Sequence, residues 1–81
     1  MIHSLSGGVI AENTPLTFLK VEIEGAPYWY YLTMGKVQAG DTVLVPFKNR
    51  TVRATVVRVE SGTQQTAPLP LSRMKEIEGI I

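Results

Sequence analysis

The chain has 81 residues, no cysteine, one histidine and a formal net charge of +1. That length holds a single domain, 1–81, and one so small buries roughly 60% of the surface its unfolded form exposes. The missing cysteines exclude disulfides and a cysteine zinc site, and the near-neutral charge excludes the broad positive field of a dedicated duplex-DNA binder.

Absent disulfides point to a reducing, cytoplasmic setting. Hydrophobic residues make up 44% of the chain, which leans apolar for so small a body. Oligomerisation is the common supplement for such a core, so a homo-oligomer is expected. The N-terminus, Met1 to Gly8, lacks the basic and apolar regions of a signal peptide, and no apolar run reaches the length of a membrane span. No membrane partner is expected.

In chain order, Val9 and Ile10 predict a short strand after Gly7-Gly8, and Glu12-Asn13-Thr14-Pro15 a turn. Leu16 to Glu24 alternates, with Thr17, Leu19, Val21 and Ile23 on one side, so it predicts a strand with one buried face. Gly25-Ala26-Pro27 turns the chain into a second strand, Tyr28 to Leu32, which completes a hairpin. Met34 to Gly40 is a loop, and Gly40-Asp41 redirects the backbone. Thr42 to Phe47 is β-branched and apolar, as suits a pleated, half-buried surface. Pro46 lacks an N–H and belongs at an edge or at the strand's end.

Lys48-Asn49-Arg50 then reverses the chain. Along Thr51 to Glu60 the apolar set changes phase, from Val52, Ala54 and Val56 to Val57 and Val59. A strand that switches its buried face midway is expected at a bulge where a sheet bends into a barrel. Ser61 to Pro70 reads as an exposed loop, Leu71 to Lys75 as one helical turn, and Ile77 to Ile81 as a last short strand. The fold class is therefore mainly β. The expected form is a small antiparallel β-barrel of five or six strands, Src-homology-3-like or OB-like, with at most one short helical turn.

An aromatic strand, the run Gly40-Asp41-Thr42-Val43-Leu44-Val45-Pro46-Phe47, a basic turn, Val56-Val57-Arg58-Val59 and the tail Arg73-Met74-Lys75-Glu76-Ile77 together resemble the N-terminal DNA-binding domain of primosomal protein N′, the PriA helicase. The resemblance runs from about Tyr28 to Ile81. It implies a β-barrel that holds the 3′ end of a DNA strand in a pocket. The positions matching that family's aromatic-Asp-Tyr motif read Trp29-Tyr30-Tyr31 here, with Tyr30 where the acid would stand.

The residues themselves offer two surfaces. Tyr28 and Tyr30 face one way in a strand, Trp29 and Tyr31 the other. One pair enters the core, and the other is left for bases to stack on or for a subunit interface. Lys48, Arg50, Arg53 and Arg58 follow one another with no acidic residue between Asp41 and Glu60. They form either a phosphate-binding patch or a solubilised edge that deters strand-to-strand aggregation.

Ser6-Gly7-Gly8 is a weak phosphate-cradle signal. His3 has no partners for a metal site. The carboxylates Glu22 and Glu24 share a strand face that reads as solvated, balanced by Lys20. No cofactor, metal or catalytic residue is expected, and the chain reads as a binding module with no enzymatic activity. Its expected ligand is nucleotide-type: single-stranded DNA or a strand end. The alternative is a phage or mobile-element accessory protein that oligomerises to sequester a small nucleotide or to block a host protein.

Overall fold

The computed structural model describes residues 13–81. The expectations for His3, Ser6-Gly7-Gly8 and the Val9-Ile10 strand lie outside the described residues. Six strands follow in order among the described residues: β1 (Leu16–Ile23), β2 (Ala26–Leu32), β3 (Thr42–Phe47), β4 (Arg50–Gly62), β5 (Lys75–Glu76) and β6 (Gly79–Ile80). Helical backbone among the described residues is confined to two single 3-10 turns, Gln64–Thr66 and Leu71–Arg73. The strands form one curled sheet in the order β5-β2-β1-β4-β3-β6, antiparallel except where β5 joins β2. This is the mainly β, barrel-like class that the alternating segments predict.

Two tight turns set the register. Glu24 and Gly25 both have positive φ, at 54° and 82°, and link β1 to β2 with Ile23 opposite Ala26. Lys48 and Asn49 also have positive φ, 50° and 65°, and link β3 to β4 with Phe47 opposite Arg50. Positive φ at both central residues is the pattern of the type I′ turn, whose twist matches that of the flanking strands. Gly40, at φ 97°, redirects the chain into β3. Asp41 fixes that bend, because its carboxylate accepts the Gln38 N–H at 2.9 Å.

The concave face carries the main core. Leu19, Val21 and Ile23 of β1 meet Val43, Val45 and Phe47 of β3, Ala54 and Val56 of β4, and Ile77. Each fully buried valine or leucine contributes roughly 1.5–3 kcal/mol relative to exposure. No side-chain nitrogen or oxygen among the described residues is buried without a partner.

The register between β1 and β4 slips between Lys20 and Val21. Lys20 pairs with Arg58 and Val21 with Val56, which leaves Val57 as the extra residue of a bulge. The phase change in β4 is therefore real, but Val57 is exposed at the bulge and only Val59 rejoins the core.

Two features depart from the one-sided reading of the sequence. Leu16 and Phe18 lie on the outer face of β1 and yet are buried, in a second cluster with Met74. The cover is the segment after β4, expected to be an exposed loop, which lays Ala67 and Leu71 over Trp29 and Tyr31 of β2. We call residues 63–74 the strap. It leaves β4 through a capping arrangement in which the Thr63 N–H donates to Thr66 Oγ1 and the Gln65 N–H donates to Thr63 Oγ1. Gly62 is required there, since a Cβ would collide with the Thr66 hydroxyl.

The C-terminal residues bridge the two edges of the sheet. The Ile77 N–H donates to the Tyr31 carbonyl of β2 at 3.0 Å, and the next N–H, of Glu78, donates to Leu44 of β3 at 2.7 Å. The Glu78 carboxylate also accepts from the Thr51 hydroxyl. Neighbouring residues of one segment thus draw β2 and β3 together.

Candidate functional site

The seam between β2 and β3 is closed along only part of its length. β5 pairs with Tyr30 and Tyr31, and β6 pairs with Val43 and Leu44. Beyond them, Pro27 to Trp29 of β2 and Pro46 to Phe47 of β3 have no strand of the described residues on their open sides. This unpaired stretch of β3 is the edge that a proline tolerates. An open cleft of about 370 Å³ lies here, and the strap contributes its third wall.

The aromatic run divides by strand parity. Tyr30 points into the main core and is 6% exposed, and its hydroxyl donates to the Pro46 carbonyl at 2.7 Å. Tyr28 shares that face but sits at the mouth, 36% exposed, with its ring edge-on to Phe47 at 5.0 Å and 72°. Such a contact is worth about 0.5–1.5 kcal/mol beyond area burial. Trp29 and Tyr31 face outward and are half-buried beneath the strap. Tyr28, Trp29 and Tyr30 line the cleft; Tyr31 does not.

Burial pushes the Tyr30 phenol above its ordinary value, and proximity to Tyr28 adds to the effect. Burial raises Tyr31 as well, with the Glu76 carboxylate adding.

The four cations of the 48–58 segment are not brought to one place. Lys48 sits in the turn with its ammonium 5.1 Å from the Phe47 ring centroid, and it lines the cleft. Arg50 and Arg53 line a neighbouring cavity of about 260 Å³ together with Glu22 and Glu24, and Phe47 separates the two spaces. Arg58 lies farther along β4, where its guanidinium pairs with Glu60 at 2.8 Å. That pair is solvent-exposed and contributes little to stability.

Beside Lys48 the fold sets Arg73 and Lys75, which sequence reasoning passed over, and Leu69. The signal was available. Arg73 and Lys75 flank a methionine, and once the backbone is extended at Met74 its two neighbours lie on the side away from the one that Met74 buries. The cleft therefore joins Lys48, Arg73 and Lys75 with the rings of Tyr28 and Trp29, and among the described residues no carboxylate lines it. Cations over an aromatic ledge suit a phosphate and a flat base together.

No group of three or more His, Cys, Asp or Glu among the described residues could hold a metal ion. No helix among them is long and apolar enough to cross a membrane.

Among curated proteins and among solved structures, nothing matches the chain. A family model described as the 3′ DNA-binding domain of PriA matches residues 19–81, from the middle of β1 through the strap to the last strand. That span takes in the Tyr28–Phe47 ledge and all three cleft cations, and the chain is a member of the PriA 3′ DNA-binding domain family.

Proposed function

We propose that this DNA-binding domain takes a single DNA strand, or the end of one, in the cleft at the open seam between β2 and β3. One observation carries the reading: Lys48, Arg73 and Lys75 line one cleft with Tyr28 and Trp29, and no carboxylate among the described residues opposes them. The rings stack on a base, which is worth roughly 1–3 kcal/mol per base, and the cations hold the adjacent phosphates. Arg50 and Arg53, across Phe47, extend the basic track for the strand that leaves the cleft. Tyr30 and Tyr31 support the ledge from the core and from beneath the strap. At about 370 Å³ the cleft is the size of a small-ligand site and too small for a duplex.

The test is fluorescence anisotropy with a short labelled single strand and the matching duplex, at two salt concentrations. The single strand should bind more tightly, and its affinity should fall as salt rises. Charge reversal at Arg73 and Lys75 should abolish binding with little change in melting temperature. Unaltered affinity in that variant refutes the assigned cleft.

A second reading, an oligomer that encloses a small nucleotide, has one supporting observation: Met34, Ile80 and Ile81 are exposed. A monomeric mass in light scattering at micromolar concentration rules it out.

A further inference from the structure

We infer that the cleft selects a phosphate group over a free hydroxyl, so that a strand ending in a phosphate monoester is held more tightly than the same strand ending in a hydroxyl. The inference rests on the strand-binding reading above and names the chemical group that the site recognises.

The donor and acceptor inventory decides it. Lys48, Arg73 and Lys75 line the cleft, and ammonium and guanidinium groups donate but never accept. A neutral hydroxyl terminus gains no charge pairing from them, and among the described residues no carboxylate lines this cleft to accept its proton. The acceptor side chains in the lining are two phenols. One of them, Tyr30, is buried with its hydroxyl committed to Pro46. A terminal phosphate monoester offers three acceptor oxygens and about −1.5 to −2 charge at pH 7, against one charge for an internal diester. Charge-assisted hydrogen bonds to it are roughly twice as strong as neutral ones.

The carboxylates in the vicinity are on the other side of Phe47, where Glu22 and Glu24 share the neighbouring cavity with Arg50 and Arg53. The two spaces differ in charge pattern, one mixed and one purely cationic. Phosphate selection is therefore a property of the seam cleft and not of the basic surface as a whole.

The experiment compares one oligothymidylate bearing a 3′-hydroxyl, a 3′-phosphate or a 5′-phosphate, by anisotropy competition at low and moderate salt. Thymidine and thymidine 3′-monophosphate are compared alongside by thermal shift. The phosphate-terminated strand should bind about fivefold or more tightly than the hydroxyl form, with an advantage that shrinks as salt screens the charges. The monophosphate, not the nucleoside, should raise the melting temperature. R73Q/K75Q should erase the difference between strands, while K36Q, in an exposed loop residue outside the cleft, should preserve it. Equal affinity for the strands, or preference for the hydroxyl, overturns phosphate selection and leaves strand binding standing. Absence of strand binding in every form overturns the strand-binding reading. The mononucleotide pair then decides phosphate selection alone: a shift with the monophosphate only sustains it, and equal responses overturn it.

Discussion

The Tyr30 hydroxyl donates to the carbonyl of Pro46 at 2.7 Å, and so ties β2 to β3 where no strand pairs with Pro46 on its open side. It is a side chain's substitute for a missing rung. Tyr30→Phe keeps the ring in the core and leaves the Pro46 carbonyl without that partner. A hydrogen bond of this kind is worth about 0.5–1.5 kcal/mol net, and the half-buried Pro46 carbonyl, on the open cleft, can turn to water in the variant. For a domain of this size each 1 kcal/mol moves the melting point by about 4–8 °C. Thermal denaturation of Tyr30→Phe should therefore show a loss of roughly 2–12 °C. No loss would mean that the bond contributes nothing to closure.

The same tyrosine makes stability depend on alkaline pH. Burial, with Tyr28 beside it, raises the Tyr30 phenol above the ordinary value near 10. Burial, with Glu76 beside it, raises Tyr31. The unfolded chain therefore gives up these protons first as pH rises. Its loss of protons relative to the native state makes stability fall with pH. The contribution is fully present below about pH 10 and is lost as pH climbs through the folded-state values. Urea melts from pH 8 to 11 should show falling stability at the top of the range. The slope should be shallower in Tyr30→Phe and shallower still in Tyr30→Phe/Tyr31→Phe. A wild-type curve that is flat to pH 11 would contradict the assignment.

Lys48 separates folding from binding. Its φ of 50° places a long side chain in the left-handed region, which costs about 1–2 kcal/mol for a residue with a Cβ. Asn49, at 65°, is a residue type that tolerates it. Lys48→Gly relieves the strain, offset by about 0.5–1 kcal/mol of extra unfolded-state entropy. The net effect on stability should be small and favourable, up to about 1 kcal/mol. The variant also removes one cleft cation, so the slope of log affinity against log salt for a single strand should shrink by about 0.7. A more stable protein that binds DNA less well and less salt-dependently is the expected pair of outcomes. Weaker stability with unchanged binding would oppose both halves.

How much of this could be read from the chain follows from which interactions are local. The hairpin β1–β2, the Gly40-Asp41 bend and the reversal at Lys48-Asn49 are set by residues within a few positions of one another, and their sequence signals are direct. The bulge at Val57 was visible as a change of phase because side-chain direction alternates strictly along a strand. Leu16 and Phe18 were not legible as core, because their cover arrives from Met74, more than fifty residues away. For the same reason the expected cation patch came apart. Lys48, Arg50, Arg53 and Arg58 are close in sequence, but the turn and the bulge divide them: Arg50 and Arg53 share one cavity, Lys48 lines the cleft across Phe47, and Arg58 pairs with Glu60. Arg73, at the end of the strap, and Lys75, which β5 sets opposite Tyr30, line the same cleft as Lys48 from a segment distant in sequence.

Tyr28 is the ring of the run most open to a ligand, and two substitutions separate its packing from its polarity. Tyr28→Ala removes both the stacking surface and the edge-on contact with Phe47. Binding of a short thymidine strand should weaken by about 1–3 kcal/mol, or roughly 5- to 150-fold. Tyr28→Phe keeps the ring and should retain most of the affinity. Equilibrium titration of both variants is the measurement. Equal losses in the two would shift the role from stacking to the phenolic hydroxyl. Undiminished binding in Tyr28→Ala would remove Tyr28 from the site.

The strap links the second cluster to the cleft through Met74. This side chain is buried against Leu16 and Phe18, and its neighbours in the chain, Arg73 and Lys75, line the cleft. Met74→Ala removes the anchor beneath two cations without touching either charge. Truncating a buried methionine costs about 2–5 kcal/mol, with the low end expected where surrounding segments can settle inward, as a short strap can. The melting point should drop by about 10 °C or more, and single-strand affinity, measured well below it, should also fall because Arg73 and Lys75 lose their fixed positions. Met74→Leu, which nearly conserves volume, should restore both. Hydrogen exchange should report the cause, with faster exchange at the Arg73 and Met74 amides, which donate to Pro70 and Leu71, than in β1 and β4. Unchanged affinity in Met74→Ala, with its stability lowered as expected, would show that Arg73 and Lys75 do not depend on the seating of Met74, and would uncouple the second core from the cleft.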